Sequence, residues 1–150
     1  MSRTLTRVVF AIVFFIILFF SGFSEDFAKE DVYKVSQLLR VILDSYTKME
    51  FEKILPMSEG KAKRDFQRII LEVQNPQRYG MIKKEIDLLR NPTIKEVKIY
   101  KDENLALAIV EWDYKRSVPR GKDVETVDVR RETSYLFKKF GNEWKIISYR

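Results

Sequence analysis

The residues best suited to chemistry lie at alternate positions late in the chain. Trp112 and Tyr114, then Val127, Val129, Arg131, Thr133, Tyr135 and Phe137, are each two apart within their runs, and residues two apart share one face of a strand. Arg131 is the one charge in that set. A cation among apolar neighbours must be paired or must face a wet cavity, because an isolated buried charge is prohibitively costly. One reading is an apolar pocket in which Arg131 holds a carboxylate or phosphate group. Trp112 would then be a wall, and Tyr46, Tyr114, Thr133 and Tyr135 would orient the ligand. The competing reading pairs Arg131 with an acid of the first helix, such as Asp44, or stacks it on Trp112.

Missing residue types bound the remaining chemistry. There is no histidine and no cysteine, which removes Ser-His-Asp and Cys-His mechanisms and ordinary zinc sites. No glycine-rich phosphate loop is present. Carboxylate, tyrosine, lysine and arginine chemistry is left, and neither a cofactor nor a metal is expected. Asp44 lies about 200° around a helix from Ile42, off the apolar stripe and toward water. Glu111, Asp113, Asp128, Arg130 and Glu132 fall on the opposite face of the strands. Paired carboxylates can do acid–base work or bind calcium, but cross-strand ion pairs account for these five more simply.

The elements that would position these groups read as helices first and strands second. Over 26–55, apolar residues recur at Val32, Val35, Leu38, Leu39, Ile42, Tyr46, Met49 and Ile54, a helical spacing ended by Pro56. Ser58 is placed to cap a second helix with Phe66, Ile69, Ile70 and Val73 on its face. Asn75-Pro76 opens a third, which buries Tyr79, Ile82, Ile86 and Leu89 and stops before Pro92. Beyond it the period becomes two, with strands expected over 94–101, 104–117, 124–140 and 143–150. The segment Val118–Lys122 is the loop between the long strands. Gly141-Asn142 is a two-residue hairpin signal that pairs Phe137 with Ile146 and Tyr135 with Ser148. The inner face should carry Ala106, Ala108, Val110 and Ile146 beside the pocket residues. The outer face takes Leu105, Leu107, Ile109, Leu136 and Ile147. The first hairpin turns on 102–103 or 102–104, and one residue flips every side chain.

The first 24 residues differ from the rest. They hold Arg3 and Arg7, no acid, and thirteen consecutive apolar residues from Val8 to Phe20. A basic flank, an apolar stretch of about 7–15 residues and small residues such as Gly22 and Ser24 form a secretory signal. Residues 1–24 are therefore expected to be a signal peptide, and 25–150 a single exported domain, in a bacterial periplasm. The alternative is an uncleaved anchor over 8–23, shorter than the roughly 20 residues a span needs. Membrane contact is expected only through this segment. About 125 residues are then left, enough for a core without disulfides. The chain carries a net charge of +6, with basic clusters at Lys61, Lys63, Arg64 and Arg68 and at Lys115, Arg116, Arg120 and Lys122. Solvated surface explains both, and no nucleic-acid partner is expected.

A long first helix, two shorter ones, and a meander closing on Phe137-Lys-Lys-Phe-Gly-Asn-Glu-Trp144-Lys145-Ile146 resemble the nuclear-transport-factor-2-like superfamily. The resemblance implies a curved antiparallel sheet wrapped by helices into a cone, open at one end. That superfamily includes isomerase-like and dehydratase enzymes, small-ligand binders, dimerisation modules and periplasmic phospholipid shuttles, and fold alone does not choose among them. The shuttles are generally longer than this chain. Isomerase-like members use an Asp and a Tyr, which here would be Asp44 and Tyr46. The expectation is an exported α+β domain, N-terminal helices on a curved antiparallel sheet, that binds a small amphipathic or anionic ligand without transforming it. An isomerase or dehydratase of the same fold is one alternative. A homodimerising assembly module working through Leu105, Leu107, Ile109 and Ile147 is the other.

Overall fold

The computed structural model describes residues 29–121 and 123–150. The leader expected over 1–24 lies outside the described residues. Among those described, no helix is long and apolar enough to cross a membrane.

Among the described residues, four helices precede a four-stranded antiparallel meander, an α+β arrangement with sheet order β1-β2-β3-β4. Helix α1 covers 29–47 of the described residues. The expected continuous helix over 26–55 is interrupted after it. Met49 takes a left-handed φ of 60°, with Met49 N–H donating to Tyr46 O at 3.0 Å and Glu50 N–H to Ser45 O at 2.8 Å. Those two bonds form a Schellman motif, without the glycine that would have announced it. Helix α2 (Phe51–Ile54) and a 3₁₀ turn (Leu55–Met57) follow. Helix α3 spans Gly60–Val73 with Glu59 at its N-cap. The cap expected at Ser58 is not made, because its hydroxyl donates to Leu55 O at 2.9 Å and the residue is buried. Glu59 N–H instead reaches Ile146 O at 2.8 Å, hooking the loop onto β4.

Helix α4 (Pro76–Asp87) starts as expected, with Asn75 Oδ1 accepting from Gln77 N at 3.0 Å and Arg78 N at 3.4 Å. It packs by its C-terminal half: Ile86 is buried, whereas Tyr79 is 45% exposed rather than buried. Leu89 belongs to β1 (Leu89–Tyr100), not to the helix. The strand passes through Asn91 (φ 49°) and Pro92 at an irregularity in its pairing with β2, and an edge-strand bulge is where a sheet tolerates proline. Asn104, at φ 53°, closes the first turn so that Tyr100 faces Leu105.

Strands β2 (Leu105–Arg120) and β3 (Asp123–Phe140) pair without a break from Leu105↔Lys138 to Arg120↔Asp123. Strand β2 thus runs on through Val118, Pro119 and Arg120 of the expected Val118–Lys122 loop, leaving a tight turn at Gly121 (φ 63°). Strand β4 (Glu143–Tyr149) pairs Phe137 with Ile146 as expected. A register shift between Leu136 and Phe137 then sets Tyr135 opposite Tyr149 rather than Ser148, since a bulge inserts one residue.

The inner sheet face holds buried Ala106, Ala108, Val110, Trp112, Tyr135, Phe137 and Ile146 against Val35, Leu39, Ile42, Phe51, Ile54 and Phe66 of the helices. Leu105, Leu107, Ile109, Leu136 and Ile147 on the outer face are half-buried. Its charged end is tied by Glu111, 3.6 Å from Lys95 and 3.7 Å from Arg130.

Candidate functional site

All six residues singled out from the sequence, Tyr46, Trp112, Tyr114, Arg131, Thr133 and Tyr135, line one cavity of about 450 Å³. Strand alternation brings five of them together. Trp112 faces Arg131, Tyr114 faces Val129 and Val110 faces Thr133 across β2 and β3. Tyr46 enters from the last turn of α1. Ile42, Phe66 and Leu89 supply apolar wall, and Glu85, Tyr149 and Arg150 complete the lining.

Half of the lining residues are aromatic, and several pack on one another. Phe66 stacks on Tyr149 at 5.4 Å between centroids, and Tyr149 on Tyr135 at 6.3 Å. Tyr46 meets Phe51 edge-on at 5.7 Å. Trp112 hydrogen-bonds the Tyr135 hydroxyl, which satisfies an indole N–H that is otherwise fully buried.

Arg131 lines the cavity, as the first reading expected, but makes neither the ion pair nor the Trp112 stack of the second. It is exposed at the cavity edge rather than buried. Asp44 is taken by Lys48 at 2.8 Å and points to water. Among the described residues no ion pair within 4.0 Å involves Arg131, and the cation–π contacts belong to Lys61, Lys138 and Lys139. The reason is the length of the central hairpin. Backbone bonding on the β1 side ends at Leu88 and Lys115 and on the β4 side at Ser134 and Arg150, so beyond these β2 and β3 run on as a two-stranded ribbon. Val129, expected on a covered face, is 37% exposed for the same reason.

The phenols hold their protons. Burial raises Tyr46, reinforced by the Glu85 charge and opposed by Arg131. Burial likewise pushes Tyr135 far above its ordinary range, with Tyr46 adding to it. Tyr149 is pushed up to about 12, by burial first and then by Tyr46 and Asp65. At neutral pH all three are neutral hydrogen-bonding groups, able to donate to a ligand oxygen and unable to serve as phenolate bases.

Sequence reasoning missed Phe66 as a wall, Glu85, Tyr149 and Arg150. Glu85 sits next to Ile86 and three residues after Ile82, on the flank of the apolar stripe of α4, a visible signal. Tyr149 enters only through the bulge in the last hairpin. Glu85 is exposed, so the cavity carries its carboxylate at the edge rather than in the apolar interior.

No protein-family model matches the chain, and no curated protein does. Similar solved structures include an NTF-2-like protein of unknown function from Shewanella oneidensis MR-1, 17% identical over 79% of this chain and 96% of that one, at a TM-score of 0.49. An NTF2-like family protein from Streptomyces avermitilis, described as a candidate dehydratase, is 12% identical over 81% and 95%, at 0.47. The intermembrane-space region of the chloroplast protein ARC6 is 13% identical over 82% and 94%, at 0.43.

Proposed function

We propose that the chain is an exported, non-catalytic binding domain whose cavity takes a small amphipathic ligand with an anionic head. The observation that carries this reading is the exposed, unpaired Arg131 guanidinium at the edge of an aromatic cavity of about 450 Å³, within the usual range of small-molecule pockets. The tail would lie on Trp112, Phe66 and Leu89, displacing water from apolar wall. The head would sit between Arg131 and Arg150, with Tyr46 and Thr133 as donors. Residues 1–24 would direct export, or residues 8–23 would hold the domain at a membrane.

Trp112 in the wall gives the readout. With the full chain kept in solution by an amphipathic polymer, laurate should change tryptophan emission saturably. Dodecanol should bind too, lacking only the charged contact. Arg131→Ala should weaken laurate about tenfold, the scale of one partly exposed charged hydrogen bond, and leave dodecanol unchanged. No saturable response to either compound, or equal loss for both, would overturn the reading.

Glu85 supports a second reading, an isomerase- or dehydratase-type enzyme with Glu85 as base and Tyr46 as donor. A general base works best in an environment that tunes it toward operating pH, and the exposure of Glu85 favours binding over chemistry.

A further inference from the structure

The ribbon leaves a long edge of β3 open. Ser134 turns its N–H and C=O toward β4, exchanging 2.9 Å bonds with Arg150. Strand backbone alternates sides, and β2–β3 pairing is unbroken here. Glu132, Arg130, Asp128, Thr126 and Val124 therefore direct their N–H and C=O groups the same way, past the end of β4. These residues are exposed, so no other described element covers that edge. An uncovered edge is a template for another strand, and natural proteins usually guard one with charge.

The charges here are complementary to themselves. Asp128 makes no ion pair among the described residues, and Arg130 is 74% exposed, with only a 3.7 Å approach to Glu111. We propose that two copies of this chain pair edge to edge through β3, antiparallel, about a two-fold axis at Val129. Asp128 of each copy then faces Arg130 of the other, and Thr126 faces Glu132. Four facing pairs exchange about eight backbone hydrogen bonds. Moving the axis by one residue would oppose Asp128 to Asp128 or Arg130 to Arg130, which like-charge repulsion disfavours. The chain thus specifies both the partner and the register. Val129, on the inner face, would meet its counterpart on the axis, and Arg131 of one copy would lie beside Val127 of the other. The two cavity edges would share one continuous sheet.

Such a contact is smaller than a standard stable interface, so covalent capture suits it. The chain has no cysteine of its own. Val129→Cys in the full chain puts thiols on the axis, where facing Cα atoms lie about 4.5 Å apart, within disulfide reach. Mild oxidation should give a disulfide-linked dimer, whereas Ser117→Cys, on the other strand of the ribbon, should stay monomeric. Adding Asp128→Arg or Arg130→Asp should slow linkage roughly tenfold, and adding both should restore it by reversing each pair. Leu107→Glu on the outer face should change nothing. Equal linkage through Val129→Cys and Ser117→Cys, no recovery in the double swap, or loss of linkage in Leu107→Glu would overturn the proposal.

Discussion

Replacing Asp31 with alanine should destabilise the domain more than any other single change at a surface carboxylate. Asp31 sits near the start of α1 with its side chain only 14% exposed. Its Oδ1 accepts from Lys139 Nζ at 2.9 Å and from Trp144 Nε1 at 3.0 Å, and Oδ2 accepts from the same lysine at 3.1 Å. Lys139 also lies 5.5 Å from the Trp144 ring centroid. Trp144 is 7% exposed, so its indole N–H has no water to turn to once the carboxylate is gone. An orphaned buried donor costs about 1–3 kcal/mol. Lys139 can swing toward solvent, so loss of its ion pair adds about 1 kcal/mol. The total is about 2–4 kcal/mol. At about 4 °C per kcal/mol for a domain of this size, the melting temperature should fall by about 8–16 °C in scanning calorimetry.

Two companions separate the parts. Asp31→Asn keeps an acceptor for Trp144 and loses the charge, so it should cost about half as much. Trp144→Phe removes the donor along with its need, and adding Asp31→Ala to it should cost only about 1 kcal/mol more. The pH dependence has a definite sign. Burial by itself would raise the Asp31 pKa, but the hydrogen bonds from Lys139 and Trp144 and the charges of Lys139 and Lys34 outweigh it, leaving it below the ordinary 3.8. A folded-state value below the unfolded one contributes stability above pH 4 that is lost as pH falls through the folded value. The gap between native chain and Asp31→Ala should therefore narrow below pH 4. A fall under 3 °C at pH 7, or a gap that ignores acid, would refute the reasoning.

Alkali should act through Tyr46, Tyr135 and Tyr149. Their raised folded-state values contribute stability that is complete below the unfolded value of 10 and lost as pH rises through the folded one, about 12 for Tyr149. Ionisation of these three buried phenols and loss of near-ultraviolet ellipticity should appear together above pH 10; Tyr135 ionising near 10 in a still-folded protein would contradict this. Asn75→Ala should lose about 1 kcal/mol in urea titration, because it leaves the N–H groups of Gln77 and Arg78 without their acceptor, while Asn75→Asp should lose nothing.

Much of the site was legible because strand alternation is a property of the backbone. Once Trp112, Arg131, Thr133 and Tyr135 fall on strands, their common face follows without knowledge of the helices. Tyr46 was legible from the helical stripe it closes. What failed was local or global. Met49 in a left-handed turn and the bulge beside Phe137 have no sequence mark of the kind glycine gives at Gly121 and Gly141, so the break after α1 and the arrival of Tyr149 were invisible. The exposure of Arg131 and Val129 depends on how far one hairpin outruns its neighbours, which no window of residues encodes. Leu89 fitted the helical spacing equally well as a continuation of α4, and only pairing with Tyr114 decided the matter.

The clamp at Asp31 and the cavity lining at Tyr46 lie fifteen residues apart on one helix, roughly 22 Å at helical rise. Along β3, Lys139 and Arg131 are separated by eight residues, roughly 26 Å. The molecule has a handle at one end and an opening at the other. Tension applied through the chain upstream of α1 would be borne by a carboxylate, an ammonium and an indole at the turn of the last hairpin. The opening would be left free to meet whatever arrives from the far side.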